Sequence, residues 1–231
     1  MLSVIITCYN NDWCVDKAID SIKNMSYDDW ECIIINDGST DNSEQVIKDT
    51  IGEDNRFKLI TTENNGVAKA RNLGIELSKG EYCLILDSDD EIVSTYPSKA
   101  VKYLTEHPEC PLFFGGFRCS GFIDGLMFPK WVSYKNLLNE PCIHTTAIFR
   151  RKRALEIGGF RSELDAFENY EFWIRYLYHY SENIKQANIL MVDYHTHPDS
   201  RHFSHSEEEL SSILKQMREM NKDIYEEYGV K

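Results

Sequence analysis

The chain has 231 residues, of which 42% are hydrophobic and 12% are aromatic, a composition typical of a folded globular protein. Lys and Arg number 25 and Asp and Glu number 38, so the formal net charge is −13. This charge disfavours nucleic acid and anionic lipid as docking surfaces, because both are bound mainly through Lys and Arg. If the ligand carries phosphate, an acidic protein needs a cation to bind it.

No segment approaches the roughly 20 apolar residues that span a bilayer, and the apolar N-terminus lacks a basic segment before it. We therefore expect no transmembrane segment. The chain has seven cysteines, an odd number, and no C-x-x-C pair. This usage predicts a cytoplasmic protein whose reduced cysteines pack as small hydrophobic side chains.

In the first 92 residues, short apolar segments alternate with helical patterns. The pattern predicts strands at 2–8, 31–36, 57–61 and 82–86. It predicts helices between them at 43–51 and 67–78, and one after the caps Asn11 and Asp12 that runs to about Met25. Strand and helix at this spacing indicate right-handed βαβ units with a parallel sheet. Ligands of such sheets bind beyond the carboxyl ends of the strands, so polar segments there should meet in one crevice.

The second half is less regular. It predicts helices at 98–107, 133–139, 153–157 and 167–180, and strands at 112–117, 145–149 and 189–194. A histidine-rich loop follows at 195–205. The tail, 206–228, predicts one helix that begins with a capping box of Ser206 and Glu209. Its apolar stripe is expected to pack as a cover, and a homodimer contact is the alternative.

Three carboxylates follow the fourth strand within four residues, Asp87, Asp89 and Asp90, with Ser88 among them. They repel one another, and Mg²⁺ or Mn²⁺ would relieve the repulsion because these ions favour carboxylate and phosphate oxygens. A solvated acidic turn that caps a helix is the alternative. The position at the carboxyl end of a strand favours the cation site.

Asp37 ends the second strand, where its carboxylate can accept a nucleobase N–H. An Asx-turn followed by a helix cap explains the same residue equally well. The segment 64–72 opens the third helix, whose free N–H groups can face an anion, with Arg71 one turn further. The alternative is an ordinary amphipathic helix with a solvated Arg71. Since the chain has neither a P-loop nor a G-x-G-x-x-G segment, a P-loop NTPase and a nicotinamide dehydrogenase are disfavoured.

Together these segments resemble the family-2 glycosyltransferases of the GT-A fold. The resemblance runs from about residue 3 to residue 200, through SVIITCYNN, IINDGSTDNS, NNGVAKARNLGI, DSDD as the D-x-D motif, HTTAIFRR, EIGGF, ENYEFWIRYL and YHTHPDS. It implies one α/β domain, with a Rossmann-like, mostly parallel central sheet flanked by helices. Residues 1–92 would bind the nucleotide sugar, 93–205 would form the acceptor and catalytic half, and 206–231 would form the C-terminal helix.

The resemblance also implies an activity, the inverting transfer of a sugar from a nucleotide diphosphate, taken here as a UDP-sugar, to a hydroxyl acceptor. The donor would be held by residues at the strand ends and at the start of the third helix, namely Thr7, Tyr9, Asp37, Asn65, Arg71, Asp87 and Ser88. Asp37 would accept a base N–H, and Arg71 would lie near the ribose and phosphate. Asp89 would ligate Mn²⁺ or Mg²⁺, which neutralises the leaving diphosphate. His197 would complete the metal shell or cover the diphosphate, and a surface loop histidine is the alternative.

The motif differs from the family at the position of the base. Inversion needs a group that takes the proton of the acceptor hydroxyl, which the family supplies as the Asp of a Glu-Asp pair, whereas this chain has Glu168-Asn169. An amide cannot accept a proton at pH 7. Three explanations stay open: an impaired enzyme that still binds donor, Glu168 as substitute base, or Asp165 or Glu171 in its place. We take Asn169 as the base position and Glu168 as an acceptor contact and weak substitute.

The acceptor implied by the resemblance is a glycan or glycolipid of polysaccharide biosynthesis, so any approach to a membrane would be through the acceptor alone. Trp131 is the candidate for stacking on it, whereas Phe172, Trp173 and Tyr176 are expected in the core or at its edge. Two other functions stay open. A nucleotidyltransferase usually has a Gly-rich phosphate loop after the first strand, where this chain has 9–12, YNND. A catalytically silent nucleotide-sugar-binding protein would explain Asn169.

Overall fold

The computed structural model describes residues 1–130, 133–178, 180, 183–197 and 205–230. Its first four strands form the parallel sheet that the sequence predicts. They are β1 (Leu2–Cys8), β2 (Trp30–Asp37), β3 (Phe57–Thr62) and β4 (Tyr82–Asp87). β1 lies between β2 and β4, and β3 pairs with the far side of β2. Every residue of β1 is buried, as expected for an apolar strand covered on both faces.

The connecting helices are α1 (Val15–Lys23), α2 (Ser43–Ile51) and α3 (Val67–Leu77). The expectation that Asn11 and Asp12 cap α1 is wrong, because Cys14 occupies the N-cap position. Asn11 instead donates from Nδ2 to Ser88 Oγ at 2.6 Å, and Asp12 accepts from the backbone N–H of Asn42 at 3.2 Å. Both side chains therefore connect loops at the carboxyl edge of the sheet.

The second half extends the same sheet with β5 (Glu91–Ile92), β6 (Leu112–Gly121), β7 (Gly125–Met127), β8 (Ile148–Arg150) and β9 (Lys185–Thr196). The strand order is β3-β2-β1-β4-β8-β6-β9-β5, with β7 paired to β6. β8 is antiparallel to both β4 and β6, whereas β6 and β9 are parallel. The sheet is thus parallel in its nucleotide-type half and mixed beyond it.

β6 and β9 both run further than predicted, and this brings the second half to the site. β6 does not end at Gly115 and Gly116 but continues through them with a bend. β9 approaches closely here, since a Cβ at Gly115 would lie 2.2 Å from the carbonyl oxygen of Ile189. The register of β6 with β9 shifts at this point. β9 then continues to Thr196, so that the backbone N–H of His195 donates to Asp90 Oδ1 at 3.0 Å.

The remaining helices are α4 (Tyr96–Glu106), α5 (Tyr134–Leu137), α6 (Arg151–Glu156), α7 (Glu168–Tyr178), α8 (Glu207–Met220) and α9 (Lys222–Glu227). The aromatic residues of α7 belong to the core, as predicted: Phe172 and Tyr176 are 0% exposed and Trp173 is 1% exposed. In the described part of the chain, no helix is both long and apolar enough to cross a membrane. All seven cysteines are free thiols, six of them buried.

The tail forms two helices instead of the single predicted one. Its capping box is present, with Ser206 Oγ accepting from Glu209 and the Glu209 side chain accepting from Ser206. α8 ends at Met220, and Asn221 turns inward to donate from Nδ2 to Glu171 Oε1 at 3.2 Å. Glu171 is fully buried and also pairs with Arg175 at 2.6 Å. The tail is therefore packed on α7 through a buried polar contact as well as apolar ones.

Candidate active site

The candidate site lies at the carboxyl ends of β1, β2 and β4. The register places Thr7 opposite Asp87 in the β1–β4 pair, and Cys8 opposite Asn36 in the β1–β2 pair. Asp37 and Asp87 are the last residues of their strands. Parallel strands end at a common edge, so the structure brings these predicted residues together.

Asp37 is fixed by the turn that opens α3. It is 4% exposed, and its Oδ1 and Oδ2 accept from the backbone N–H groups of Asn65 and Gly66, each at 2.9 Å. The side chain of Asn65 donates to Glu63, so Asn65 reaches Asp37 only through its backbone. Thr62 Oγ1 also donates to Asp37 Oδ1, at 3.3 Å. A carboxylate offers about four acceptor positions, and acceptance of a nucleobase N–H is compatible with these three bonds.

The turn and capping roles that were the alternative for Asp37 belong to its neighbours. Asn36 Oδ1 accepts from the N–H of Ser39 at 3.2 Å, and Asp41 Oδ1 accepts from the N–H of Ser43 at 2.9 Å at the start of α2. The Asx-turn and the cap of α2 therefore involve Asn36 and Asp41, whereas the carboxylate of Asp37 accepts from the turn that opens α3.

Tyr9 and Asn10 form a turn between β1 and the loop after β2. Asn10 has φ of +54°, a left-handed conformation that Asn tolerates better than most residues. Its N–H donates to Ser39 Oγ at 3.0 Å, and its Oδ1 accepts from the N–H of Thr40 at 2.7 Å. Tyr9 is 48% exposed, whereas Thr7 is 8% exposed. Tyr9 is thus available at the rim of the crevice, and Thr7 lies in its floor.

Arg71 joins the two halves of the site. Nη2 donates to Asp87 Oδ1 at 2.8 Å and Nη1 donates to Glu168 Oε1 at 2.7 Å. Burial lowers the pKa of the guanidinium, but Asp87 and Glu168 more than offset this and raise it above its usual value. The alternative of a solvated Arg71 is wrong, since the residue is 3% exposed. Its positive charge is paired with two carboxylates of the protein itself.

Glu168 and Asn169 stand at the start of α7. Phe167 before them has φ of +63°, a strained conformation for a bulky residue. Glu168 is 2% exposed and ion-paired to Arg71. Asn169 is half-buried, and its Oδ1 accepts from the N–H of Tyr170 at 2.8 Å.

The other two candidate bases occupy different surroundings. Glu171 is 0% exposed and pairs with Arg161 at 3.0 Å and Arg175 at 2.6 Å, so an acceptor hydroxyl has no solvent path to it. Asp165 has a side chain that is 88% exposed and lies 3.3 Å from His205 Nε2. Burial therefore removes Glu171 from the candidates, whereas Asp165 is an open surface carboxylate.

Three carboxylates at the end of β4 and just after it, Asp87, Asp89 and Asp90, repel one another. Burial and then repulsion from Asp87 raise the pKa of Asp89 to about 6, against the opposing effects of His195 and Arg71. Burial and repulsion from Asp89 and Asp87 raise the pKa of Asp90 well above its usual value. Within the described residues, Asp90 Oδ2 has no hydrogen-bond partner. Ser88 is 1% exposed and accepts from Asn11.

The side chains of the site suit a hard divalent cation only if a bound phosphate supplies the remaining ligands. Among the described residues, no group of three or more His, Cys, Asp and Glu side chains could hold a metal ion. Mg²⁺ commonly takes one or two carboxylates plus substrate phosphates, and Asp89 offers such a carboxylate, destabilised in its charged form. His197 is half-buried, and its ring meets Trp13 edge-on with centroids 4.6 Å apart.

The site contains two residues that the sequence-based prediction did not include. His144 and Tyr194 have ring centroids 5.4 Å apart. Burial, then the charges of Asp90, Asp87 and Asp89, raise the pKa of Tyr194 to about 12, which places it beside the acidic cluster. The segment HTTAIFRR was the available signal for His144. Trp131, the predicted acceptor contact, lies outside the described residues.

Comparisons with known proteins agree with this fold. Staphylococcus aureus TarS 1-349, in a crystal structure with UDP-GlcNAc, matches with a TM-score of 0.80 at 19% identity, over 94% of this chain and 65% of that one. The mannosyltransferase PcManGT of Pyrobaculum calidifontis, in complex with GDP-Man and Mn²⁺, matches with a TM-score of 0.70 at 18% identity, over 96% and 64%. At these identities the likeness shows the GT-A fold.

Sequence relatives cover less of the chain. An uncharacterised glycosyltransferase of Haemophilus influenzae is 39% identical over 108 residues, 46% of this chain and 43% of that protein. The putative glycosyltransferase EpsH of Bacillus subtilis is 39% identical over 95 residues, 41% and 28%. Each match thus spans less than half of the relative. The model of the family described as Glycosyl transferase family 2 matches residues 3–157. The expectation from the sequence motifs is confirmed: this chain belongs to glycosyl transferase family 2.

Proposed function

We propose that this glycosyltransferase transfers a sugar, with inversion, from a UDP-sugar to a hydroxyl of a glycan or glycolipid acceptor. The observation that carries the proposal is the ion-paired bridge from Asp87 through Arg71 to Glu168. It holds the end of β4, a strand of the donor half, against α7, the helix where the catalytic base is expected. Donor and acceptor would then react at one place, which effective catalysis requires.

The nucleoside would be held by Thr7, Tyr9 and Asp37, and the sugar would lie near Asp87 and Ser88. In this arrangement Asp37 accepts the imide N–H of uracil, while Asn65 and Gly66 hold the carboxylate in position. Arg71 would act through Asp87 and Glu168, which it orients, because it donates to both carboxylates. Residues 1–92 would then form the donor half, and 93–205 the acceptor half.

Mn²⁺ or Mg²⁺ would be held by Asp89 together with the diphosphate, with His197 nearby. When bound, the ion supplies neutralisation of the charge that develops on the leaving diphosphate. Support comes from the raised pKa of Asp89, to about 6, since a carboxylate destabilised in its charged form gains when a cation is bound. The Mn²⁺ reported with the mannosyltransferase PcManGT makes the same ion a reasonable first choice.

The step that removes the acceptor proton would take place at residue 169. An amide there cannot accept the proton, and the carboxylate of Glu168 beside it is buried and already paired to Arg71. We therefore expect slow transfer and ordinary donor binding. The acceptor would approach from the side of α7, and Trp131 stays the proposed stacking residue.

The proposal is tested by calorimetric titration of the full chain with UDP, UDP-GlcNAc, GDP and GDP-mannose, each with and without Mn²⁺. Metal-dependent binding of one nucleotide class, followed by slow release of nucleoside diphosphate in the presence of acceptor, is the expected result. Absence of binding to every nucleotide would refute the proposal.

A second function is favoured by one specific contact. Asn169 Oδ1 accepts from the N–H of Tyr170 at the start of α7. Asn169 therefore has a structural role in this helix that does not require it to act as a catalytic base. We propose as the alternative a nucleotide-sugar-binding protein without transferase activity. Metal-dependent binding without transfer or hydrolysis would distinguish it from the enzyme.

A further inference from the structure

His144 lies four residues before the start of β8, a strand that runs antiparallel to β4. In this pair Phe149 is opposite Cys83, so the chain that precedes β8 comes from the carboxyl end of β4, where Asp87 stands. The electrostatic surroundings agree, because Asp87 and Arg71 are the two charged groups that act on the His144 ring. His144 is thus a wall of the candidate site on the side opposite β1.

The ring of His144 is held in place by its neighbours. It contacts Phe117 of β6, with ring centroids 5.0 Å apart, and Tyr194 of β9, with centroids 5.4 Å apart, and these two rings also contact each other. Phe117 and Tyr194 are the last residues of the two strands as predicted, and both strands continue beyond them. An imidazole that belongs to a cluster of three rings has few rotamers available, so its polar edge is preorganised.

The hydrogen bonds of His144 fix which ring nitrogen carries the proton. The backbone N–H of Thr146 donates to Nδ1 at 3.3 Å, and Thr146 Oγ1 lies 3.1 Å from the same atom. A nitrogen that accepts from a backbone N–H cannot carry a hydrogen, so the neutral ring is protonated at Nε2. Burial also lowers the pKa of His144 to about 4, which keeps the ring neutral at physiological pH.

These observations leave a rigid, uncharged N–H donor in a site dominated by carboxylates. We propose that His144 Nε2–H donates a hydrogen bond to a hydroxyl of the transferred sugar and thereby contributes to the choice of donor. A charged donor would be drawn to Asp87 or the diphosphate, whereas a neutral one discriminates among hydroxyl positions without that competition. The inference rests on the proposed function, because it needs a nucleotide sugar in the crevice.

The test compares nucleotide sugars with the matching nucleoside diphosphates, using the full chain and Mn²⁺. UDP with UDP-GlcNAc and GDP with GDP-mannose are titrated into the wild type, His144→Phe and His144→Gln. Loss of one neutral hydrogen bond should reduce the affinity gained from the sugar roughly 2- to 10-fold in His144→Phe. His144→Gln keeps an N–H donor and should retain most of that gain. Affinity for the diphosphates alone should stay the same in all three proteins, which a merely structural loss would not allow.

Several results would overturn the proposal. One is an equal sugar contribution in the wild type and His144→Phe, and another is equal loss in His144→Phe and His144→Gln. A wild type that binds nucleotide and nucleotide sugar equally well would also exclude it. If His144→Phe does not fold, His144→Ala gives the same comparison. A wild type that binds no nucleotide would refute the proposed function itself, and this outcome is distinct from an unchanged ratio.

The tautomer gives an independent check that needs no ligand. A long-range ¹H–¹⁵N spectrum of the wild-type protein at pH 7, assigned with His144→Gln, should show His144 as a neutral ring protonated at Nε2. A ring protonated at Nδ1 would contradict the proposal.

Discussion

Arg71 and Glu168 form an almost fully buried ion pair, with 2.7 Å between Nη1 and Oε1 and side-chain exposures of 4% and 2%. The two residues are 97 positions apart, so the pair fixes α7 to the carboxyl edge of the parallel sheet. Glu168 therefore has a structural use as well as its position beside the expected base. Substitution of either residue of the pair is therefore expected to change both the stability and the activity of the protein.

Arg71→Ala should destabilise the fold strongly. Removing the cation leaves Glu168 buried without its partner, and breaking a buried pair on one side typically costs about 3–5 kcal/mol. Urea unfolding followed by far-UV circular dichroism measures this loss. The matched control is Arg118→Ala, which breaks an exposed Arg–carboxylate pair with Asp193 and should cost about 0–1 kcal/mol. Equal losses in the two variants would show that burial of the Arg71 pair contributes nothing.

Asn169→Asp should raise the rate of transfer by roughly 100-fold or more, since a positioned general base contributes on this scale. Asp is nearly isosteric with Asn and can still accept from the N–H of Tyr170, so α7 should start in the same way. Donor affinity should change less than about twofold, because the donor half is untouched. The rate is measured as release of nucleoside diphosphate with acceptor present.

The control for this substitution is Asn169→Ser, which keeps a hydrogen-bond acceptor for Tyr170 but adds no base. If Asn169→Asp and Asn169→Ser turn over at the same rate, residue 169 is not the base position. A gain in the Asp variant alone would also favour an impaired enzyme over a protein that lacks the chemistry altogether.

Chelation with EDTA should abolish binding of nucleoside diphosphate to the wild type. Asp89→Asn should give the same loss even with Mn²⁺ present, because it removes the carboxylate proposed to hold the ion. Asp49→Asn is the control, since Asp49 is an exposed carboxylate on α2. Calorimetry with UDP measures all three proteins. Binding that persists in EDTA would exclude a metal-held diphosphate and would leave the acidic cluster without a ligand role.

The strands at the centre of the site could be predicted from the sequence because their signal is local. The range of β1 is the predicted one, and β2, β3 and β4 differ from prediction by one residue at one or both ends. A continuous apolar segment bounded by turn residues is sufficient to indicate a buried strand. The positions of Asp37 and Asp87 at strand ends follow directly from these bounds, and so does their shared edge.

The partners of the site residues could not be predicted, because they depend on contacts between distant segments. Arg71 was expected in solvent or near phosphate, yet its partners Asp87 and Glu168 lie 16 and 97 residues away. Asn11 was expected to cap α1, and its side chain instead reaches Ser88, 77 residues away. Propensity favours a cap locally, but a tertiary hydrogen bond at the sheet edge competes with it. The same limit explains why His144 was not identified.

His144 should make the stability of the fold depend on pH in a defined window. Its ordinary pKa is 6.5, and burial, with a smaller contribution from Arg71 and an opposing one from Asp87, lowers the folded-state value to about 4. Between these values the unfolded chain binds the proton and the folded one does not, so acidification favours unfolding. The contribution of His144 is therefore complete above pH 6.5, decreases as the pH falls, and stops changing below about pH 4. With about 1.4 kcal/mol for each pKa unit, the loss across the window is up to roughly 3 kcal/mol.

Urea unfolding of the wild type and His144→Gln from pH 7.5 to pH 4 isolates the contribution of His144, because carboxylates common to both proteins cancel in the difference. The free energy of unfolding of the wild type should fall relative to that of His144→Gln as the pH decreases. A difference that stays constant across the range would mean that His144 is solvated in the folded protein, and it would remove the support that its neutrality gives to the proposed sugar contact.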